Sequence, residues 1–280
     1  MAIDKKTALV TGGGAGIGYA LTQHLLKKGY RVAIIDIDGD RASAAQKTLG
    51  DDVLGVQCDV SSWESSAAAF KKVFEWAGAI DFFAANAGVA EKESLYALPD
   101  DEEPQKPNLA TIEVDLLGVF YGLKLYRHYV KKSESGRGGK VVITSSMAGN
   151  YPMFVAPIYC AAKHGVVGLA RAAGRKLQAQ ENITLNCICP GPVDTGISPG
   201  MQKMVPDDQM TPMSCVIEAF DRFLDSDDTG LIAECAGSEV IMRPQLAYAN
   251  DVARALNQDM LNVKKFDSFY KHGRHEDHLE

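Results

Sequence analysis

The stretch TALVTGGGAGIG, residues 7–18, decides the fold. Residues 7–12 form a short apolar and β-branched run that is typical of a buried strand, and a glycine-rich turn follows it. Residues 16–29 then predict a helix, because apolar residues recur there at helical spacing and Gly29 follows the last of them. A strand, a glycine-rich turn and a helix in this order predict a nucleotide-binding unit of an α/β fold.

The same alternation of strand and helix continues along the chain. It predicts a single domain over 1–280 with a doubly wound Rossmann fold, about seven parallel strands and helices on both faces of the sheet. Ligands bind outside the carboxyl ends of the strands in such folds. The dinucleotide-binding part covers about 5–150, a Pro- and Met-containing flap about 192–213, and a polar, disordered tail about 265–280. The further predicted strands are 31–36, 53–59, 79–88, 139–146, 183–191 and 238–244, and the further helices are 39–49, Ser61 or Ser62 to Ala77, 109–133 and 157–181.

Composition and charge exclude several other classes of protein. The 280 residues carry 36 acids and 29 bases, a net charge of −7, which disfavours nucleic acid or an anionic membrane as the main partner. No apolar run is long enough for a transmembrane helix, and the early first strand leaves no room for a signal peptide. The six cysteines contain no C-x-x-C pair, so we expect a reducing, cytoplasmic location without disulfides and without a bound metal.

Each glycine of the turn has a separate physical purpose. Gly12 permits the tight turn, Gly16 lets the backbone approach a phosphate, and Gly18 permits close packing of helix on strand. Gly14 and Ile17 belong to the same loop and are assigned to the cofactor with it. Because the Gly-Lys-Ser/Thr of a triphosphate-binding loop is absent, the turn disfavours an ATPase.

Asp36 ends the second strand, 18 residues after Gly18, where a carboxylate can accept hydrogen bonds from an adenosine ribose. That carboxylate would repel a 2′-phosphate, and no Arg follows directly, although Arg41 lies further on. The residue therefore favours NAD over NADP. The alternative is a strand-end or helix-capping Asp, and Asp38 competes for the capping position.

A phenol and an ammonium lie one helical turn apart in YCAAKHG, residues 159–165. Tyr159 and Lys163 are at positions i and i+4, which share a helix face. A buried cation beside a phenol favours the phenolate, which would make Tyr159 a usable general acid/base. Taken alone, the pair favours a chance arrangement on a surface helix, because Tyr and Lys are common residues.

Several motifs together resemble the classical short-chain dehydrogenase/reductase family. They are T-G-x-x-x-G-x-G, Asn86-Ala87-Gly88, Ser146, Tyr159-x-x-x-Lys163 and PGPVDT (190–195), in the family's order and spacing from residue 5 to about 196. The sequences YCAAKHGVVG and CICPG are especially similar to those of the 15-hydroxyprostaglandin dehydrogenase branch.

The resemblance implies roles for the matching residues. Tyr159 is the acid/base, Lys163 lowers its pKa and binds the nicotinamide ribose, and Ser146 holds the substrate oxygen. Ser145 is left out, because it should point the other way from the strand end. The predicted cofactor-binding residues are Gly12, Gly14, Gly16, Ile17, Gly18, Asp36, Ile37, Asp59, Val60, Asn86, Ala87, Gly88, Tyr159, Lys163, Pro190, Gly191, Val193 and Thr195.

Asp115 is a departure from the family, which commonly has Asn at this place in its long helix. The family residue holds a water in a proton relay through its main-chain carbonyl, a role that survives substitution. We therefore predict Asp115 as a fourth catalytic residue, with a protonated or paired side chain as open alternatives. The family's Asp-Gly-Gly ending is also missing, so the substrate pocket there cannot be inherited by analogy.

Adaptable apolar residues near the predicted site favour a small lipophilic secondary alcohol or ketone as substrate. Ordinary core packing is the alternative for them. The rival functions are a biosynthetic ketone reductase that uses NADPH and a non-catalytic NAD-binding protein. The resemblance also implies a homodimer or homotetramer formed through the helices 109–133 and 157–181. The apolar residues are Met147, Tyr151, Met153, Phe154, Ile197, Met201, Met204, Val205 and Met210.

Overall fold

Short, mostly apolar runs form the central strands of one sheet, because a parallel sheet covered on both faces buries the side chains of its central strands. The structure is a computed structural model and describes residues 5–96, 103, 105–133, 138–197 and 203–260. The predicted tail and part of the predicted flap lie outside these residues. The described strands are β1 Thr7–Thr11, β2 Arg31–Asp36, β3 Val53–Gln57, β4 Phe82–Ala85, β5 Gly139–Thr144, β6 Ile183–Pro190, β7 Ile232–Ala236 and β8 Glu239–Arg243.

The strand order is β3-β2-β1-β4-β5-β6-β7-β8, with every neighbouring pair parallel except β7 and β8. The order reverses between β1 and β4, which opens a crevice at their carboxyl ends. This sheet confirms the predicted doubly wound fold. The predicted strand 238–244 exists, but it is the antiparallel β8; the seventh parallel strand is β7, which the sequence reading missed.

Helices cover both faces of the sheet, and each face has its own apolar core. α3, α5 and α6 bury their apolar faces in one cluster, and α1 and α7 bury theirs in the other. The side chain of Ser62 caps α3, and that of Asp38 caps α2. The helices are α1 Gly16–Lys27, α2 Gly39–Leu49, α3 Trp63–Ala77, α4 Ala110–Ile112, α5 Gly118–Lys132, α6 Pro157–Glu181, α7 Met213–Leu224 and α8 Asp251–Met260.

The predicted helix 109–133 consists of three segments. A π-helix, Glu113–Leu117, separates α4 from α5. Such insertions are rare in helices and are often found at functional sites. Two short 3₁₀ helices are also present: Met147–Gly149 follows β5, and Asp207–Gln209 precedes α7.

The chain divides into two compact units, Met1–Arg243 and Pro244–Glu280. The first contains the whole sheet and every predicted site residue. In the second, Asn250 Oδ1 accepts a hydrogen bond from the Ala253 N–H at the start of α8.

Candidate active site

The glycine-rich loop joins β1 to α1 at the carboxyl edge of the sheet. Gly12 and Gly16 have φ of +62° and +52°, a left-handed backbone that residues with a side chain rarely adopt. A Cβ at Gly18 would lie 2.2 Å from the Gly12 carbonyl oxygen, so a side chain there would force the helix away from the strand end. α1 begins without a side-chain cap or an acidic residue in its first turn. Its free N–H groups and positive dipole end therefore fit the pyrophosphate of a dinucleotide.

Asn86 ties together the ends of the three central strands. Its side-chain NH₂ donates to the Thr11 carbonyl at 3.0 Å, and its Oδ1 accepts from the Thr144 hydroxyl at 3.1 Å. The Thr11 hydroxyl accepts from the N–H groups of Asn86 and Ala87 at 2.9 and 3.0 Å. These bonds hold the loop after β4 against the glycine-rich loop.

Asp36 is buried at the end of β2 and faces the glycine-rich loop. Its two oxygens accept from the N–H groups of Gly14, at 3.0 Å, and Asp38, at 3.1 Å. Asp38, and not Asp36, is the cap of α2. The side chain of Arg41 also borders the loop, since a Cβ at Gly14 would lie 2.9 Å from Arg41 Cγ. Ile37, the next predicted cofactor residue, is an exposed apolar side chain at the same edge.

Asp59 and Val60 form the turn after β3. Asp59 Oδ1 accepts from the backbone N–H of Ser61 at 2.9 Å and from its hydroxyl at 2.6 Å. Val60 packs against Gly118 at the start of α5, where a Cβ would lie 3.0 Å from the Val60 carbonyl oxygen. Both residues, which are predicted to bind the cofactor, thus lie beyond the end of a strand next to β2.

Lys163 lies on α6 with its side chain 4% exposed. Its Nζ donates to the Thr144 carbonyl at 3.1 Å, lies 3.1 Å from Asp115 Oδ2, and lies 5.4 Å from the centroid of the Tyr159 ring. Burial by itself lowers the pKa of an amine, but attraction to Asp115 and Tyr159 raises the Lys163 pKa above its ordinary value. A buried ammonium therefore lies beside the Tyr159 ring.

Asp115 enters the site from the π-helix and is fully buried. Its Oδ1 accepts from the Val89 N–H at 2.8 Å. Its Oδ2 is at ion-pair distance from Lys163, but no hydrogen bond of good geometry reaches this atom from the described residues. Gly88 permits the arrangement, since a Cβ there would lie 3.3 Å from both Asp115 Oδ2 and Lys163 Nζ.

The two serines after β5 face different partners. Ser145 is buried, and its hydroxyl donates to the Lys163 carbonyl at 2.9 Å, which fixes strand to helix. Ser146 caps the following 3₁₀ helix by accepting from the Ala148 N–H at 3.2 Å. The Ser145 hydroxyl is thus bonded to the backbone of α6. This agrees with leaving Ser145 out of the predicted site.

The segment after β6 returns to the glycine-rich loop. Gly191 follows Pro190, the last residue of β6, and its N–H donates to the Cys235 carbonyl at 2.9 Å. Val193 packs against the apolar cluster that contains α1 and α7. Thr195 is next to the loop, since a Cβ at Gly16 would lie 3.2 Å from the Thr195 side chain. Thr195, a predicted cofactor-binding residue, thus lies next to the predicted phosphate-binding turn.

Glu91 is a site residue that was not predicted from the sequence. Its Oε2 accepts from the Tyr159 N–H at 2.9 Å in the first turn of α6, and its Oε1 is buried without a hydrogen-bond partner among the described residues. A carboxylate at a helix N-terminus is stabilised by the helix dipole. Nothing in the local sequence distinguishes Glu91 from the neighbouring acids Glu93 and Glu103, so only the fold identifies it.

Glu234 on β7 is another buried carboxylate that was not predicted from the sequence. Its Oε2 accepts from the Tyr151 hydroxyl at 3.1 Å and the Asn150 side chain at 3.3 Å, and lies 3.2 Å from Arg243 Nε. These contacts fix the segment that follows Ser146 against the edge of the sheet.

Exposed apolar side chains surround the carboxyl edge of the sheet. They occur in the loops after β4, β5 and β6, which are the loops that border the crevice in a doubly wound fold. The described members of this set, which we call the apolar rim, are Leu95, Tyr96, Tyr151, Phe154, Val155, Ile197 and Met204.

The described residues contain neither a cluster suited to a metal ion nor a membrane-spanning helix. No group of three or more His, Cys, Asp or Glu side chains there could hold a metal ion. No helix in the same ranges has both the length and the apolar character to cross a membrane.

Comparison with known proteins assigns the family. The sequence model described as short chain dehydrogenase matches residues 6–205. The short-chain dehydrogenase/reductase prx6 of Penicillium rubens is 33% identical over 237 residues, which cover 81% of this chain and 79% of that protein. Human 15-hydroxyprostaglandin dehydrogenase [NAD(+)] is 33% identical over 209 residues, 72% of this chain and 74% of that protein.

Solved structures agree with the fold. The 3-ketoacyl-(acyl-carrier-protein) reductase of Brucella melitensis, complexed with NADH, aligns with a TM-score of 0.72 at 23% identity, over 85% of this chain and 100% of that one. The chain therefore belongs to the short-chain dehydrogenase/reductase family of oxidoreductases. The predicted resemblance, including its 15-hydroxyprostaglandin dehydrogenase branch, is confirmed.

Proposed function

We propose that this protein is an NAD(H)-dependent oxidoreductase that interconverts a secondary alcohol and a ketone on a small lipophilic molecule. The observation that carries the proposal is the buried Lys163 ammonium beside the Tyr159 ring. A phenol positioned beside a buried cation can act as the general acid and base that gives and takes the proton of a hydroxyl group.

The nicotinamide, when bound, supplies the acceptor or donor of the hydride. The chain's own groups manage the proton and the position of the substrate. Tyr159 Oη takes the proton of the substrate hydroxyl during oxidation and returns it during reduction. The Ser146 hydroxyl holds the substrate oxygen, and Lys163 keeps positive charge next to the phenol. Asp115 holds Lys163 in place.

The fit of the cofactor rests on the loop and on the uncapped start of α1. The positive φ at Gly12 and Gly16 and the absence of a cap leave backbone N–H groups free for a pyrophosphate. Asp36, at the end of β2, is placed to accept from an adenosine ribose and to repel a 2′-phosphate, which favours NAD. The human relative, 15-hydroxyprostaglandin dehydrogenase [NAD(+)], supports the same choice.

The lipophilic character of the substrate is argued from the apolar rim. Phe154 is 80% exposed and Met204 is 78% exposed, although both are large apolar side chains. Apolar groups exposed on several loops around one crevice mark a ligand-binding surface. A relative named for a hydroxylated lipid, 15-hydroxyprostaglandin dehydrogenase, agrees with this substrate class.

One observation favours a second candidate, a ketone reductase that uses NADPH. Arg41 borders the same loop as Asp36 and pairs with Asp38 at 3.3 Å. An Arg released from that pair could bind a 2′-phosphate. Asp36 nevertheless accepts a hydrogen bond from the Gly14 N–H of the loop, which favours the first candidate.

The test is a spectrophotometric assay of NADH at 340 nm. NAD and NADP are each offered with a panel of alicyclic and long-chain secondary alcohols, and NADH and NADPH with the matching ketones. The proposal expects turnover of apolar members with NAD(H) in preference to NADP(H). Preference for NADPH and ketones would support the second candidate, and turnover of none would contradict both.

We further propose a homodimer or homotetramer. Leu117 and Phe120 are large apolar residues exposed at the start of one of the two helices predicted to form the interface. Light scattering that gives the mass of a monomer would contradict this assembly.

A further inference from the structure

Asp115 and Lys163 form a buried ion pair inside the candidate site. The carboxylate is 0% exposed, the lysine side chain is 4% exposed, and 3.1 Å separates Oδ2 from Nζ. We propose that Asp115 is a positioning residue, the resident counterion that holds the Lys163 ammonium charged and in place whether or not a cofactor is bound. The inference concerns the site of the proposed function, and its effect on turnover rests on that function.

The hydrogen-bonding capacity of Lys163 shows why a counterion matters. An ammonium has three N–H donors. One reaches the Thr144 carbonyl, and Asp115 Oδ2 lies 3.1 Å from Nζ at ion-pair distance. The remaining hydrogen-bonding capacity is left for a ligand, which in the proposed function is the nicotinamide ribose. The protein thus positions the amine from two sides and leaves one direction free.

Burial makes an isolated ammonium unfavourable at this place. Charged groups are almost never buried without a partner, and a buried lysine otherwise loses its proton. The charged or titratable groups around Lys163 are Asp115 on the π-helix, Tyr159 on α6 and Cys187 on β6. Burial raises the pKa of the Cys187 thiol, which keeps it neutral. Asp115 is therefore the group that supplies negative charge next to the Lys163 ammonium.

The carboxylate is itself held by the fold. Asp115 Oδ1 accepts from the Val89 N–H at 2.8 Å, and the π-helix brings the side chain into the site. An amide in its place could still accept from Val89, but it would carry no charge. The Asp115→Asn variant therefore separates the role of charge from the role of shape.

The experiment is a titration of Lys163 that does not require turnover. The protein is labelled with lysine carrying ¹³C at Cε, and the Lys163 signal is assigned with Lys163→Arg. The spectrum is followed from about pH 7 to about pH 10, a range in which ordinary lysines stay largely charged. We expect the wild-type Lys163 signal to remain at the charged position throughout, and the Asp115→Asn signal to lose its proton with a midpoint inside the range.

Glu113→Gln is the matched control, because it removes one negative charge from an exposed residue of the same π-helix. It should behave as wild type. Equal titration of Asp115→Asn and wild type would overturn the proposal. So would a neutral Lys163 in the wild-type protein within this range, an outcome that needs no variant to fold.

Turnover supplies a second readout. If the proposed function holds, the alkaline limit of kcat/KM should move down by about one pH unit or more in Asp115→Asn and stay unchanged in Glu113→Gln. A shifted lysine titration without turnover of any alcohol or ketone would uphold the counterion and reject the proposed reaction. An unshifted lysine titration with normal turnover would reject the counterion and uphold the proposed reaction.

Discussion

Replacing Lys163 with methionine should destabilise the protein strongly, because it leaves the Asp115 carboxylate buried without its counterion. Removal of one partner of a buried ion pair costs about 3–5 kcal/mol. Asp115 keeps its hydrogen bond from the Val89 N–H, so we expect the lower end, about 3 kcal/mol. For a chain of this size that corresponds to a fall in Tm of roughly 6–12 °C.

The assay is urea-induced unfolding followed by circular dichroism near neutral pH. The Lys163 pKa is raised in the folded state, so its contribution to stability is complete below its ordinary value of 10.5 and is lost as the pH rises through the folded pKa. Neutral pH therefore measures the whole effect.

A double variant, Lys163→Met with Asp115→Asn, serves as the control. It removes both charges and keeps an acceptor for Val89. We expect it to recover at least about half of the lost free energy of unfolding. The reasoning is refuted if Lys163→Met stays within about 0.5 kcal/mol of wild type, or if the double variant is no more stable than the single one.

Three further predictions concern the loop, the cofactor and the outer surface. Gly18→Ala places a Cβ 2.2 Å from a carbonyl oxygen, so it should lower the free energy of unfolding by about 1–3 kcal/mol and weaken NAD binding. The control Gly168→Ala, where a Cβ has nothing within 4 Å, should be neutral or stabilising, and thermal unfolding and NAD titration check both variants. Asp36→Ala should raise the ratio of NADPH to NADH turnover roughly tenfold by relieving repulsion of a 2′-phosphate, and a wild-type preference for NADPH would contradict this. A hydrogen bond from Arg127 lowers the pKa of Glu181, so the pair stabilises the fold above pH 4.5 and stabilises it less as the pH falls. Glu181→Gln should lower Tm at pH 7 and reduce the decrease of Tm toward acidic pH, and an unchanged dependence of Tm on pH would count against the pair.

Much of the fold could be predicted because its strands are short, apolar and separated by helices with clear ends. The helix 157–181 and the strand 31–36 have the predicted bounds. β7 was missed because Glu234 interrupts its apolar run. That carboxylate is buried by contacts with Asn150 and Tyr151, which are remote in sequence, and with Arg243 on the neighbouring strand β8.

α7 was missed for a different reason. Its apolar residues recur at helical spacing and are buried, so a signal was present in the sequence. The Pro-containing run 192–213 was instead predicted to be a flap. That flap ends at Met213, where the helix begins. The π-helix had no signal of its own, since its residues continue the period of the helices on either side.

The candidate site was predictable where backbone geometry restricts the residue type, as at Gly12 and Gly18. It was not predictable where a contact depends on two distant segments. The pairing of Asp115 with Lys163 was only one of several open alternatives for that side chain, and the capping of α6 by Glu91 had no sequence signal. In both cases a loop or π-helix of irregular geometry sets the contact.

The account depends on Tyr159 as the group that moves the proton. The most direct measurement compares wild type with Tyr159→Phe, in turnover of the best alcohol from the panel and in the Kd for NAD. We predict that turnover falls by about 10²–10⁴-fold while NAD binding stays nearly unchanged, because only the phenol oxygen is removed. Equal turnover in the two proteins would contradict the proposed mechanism.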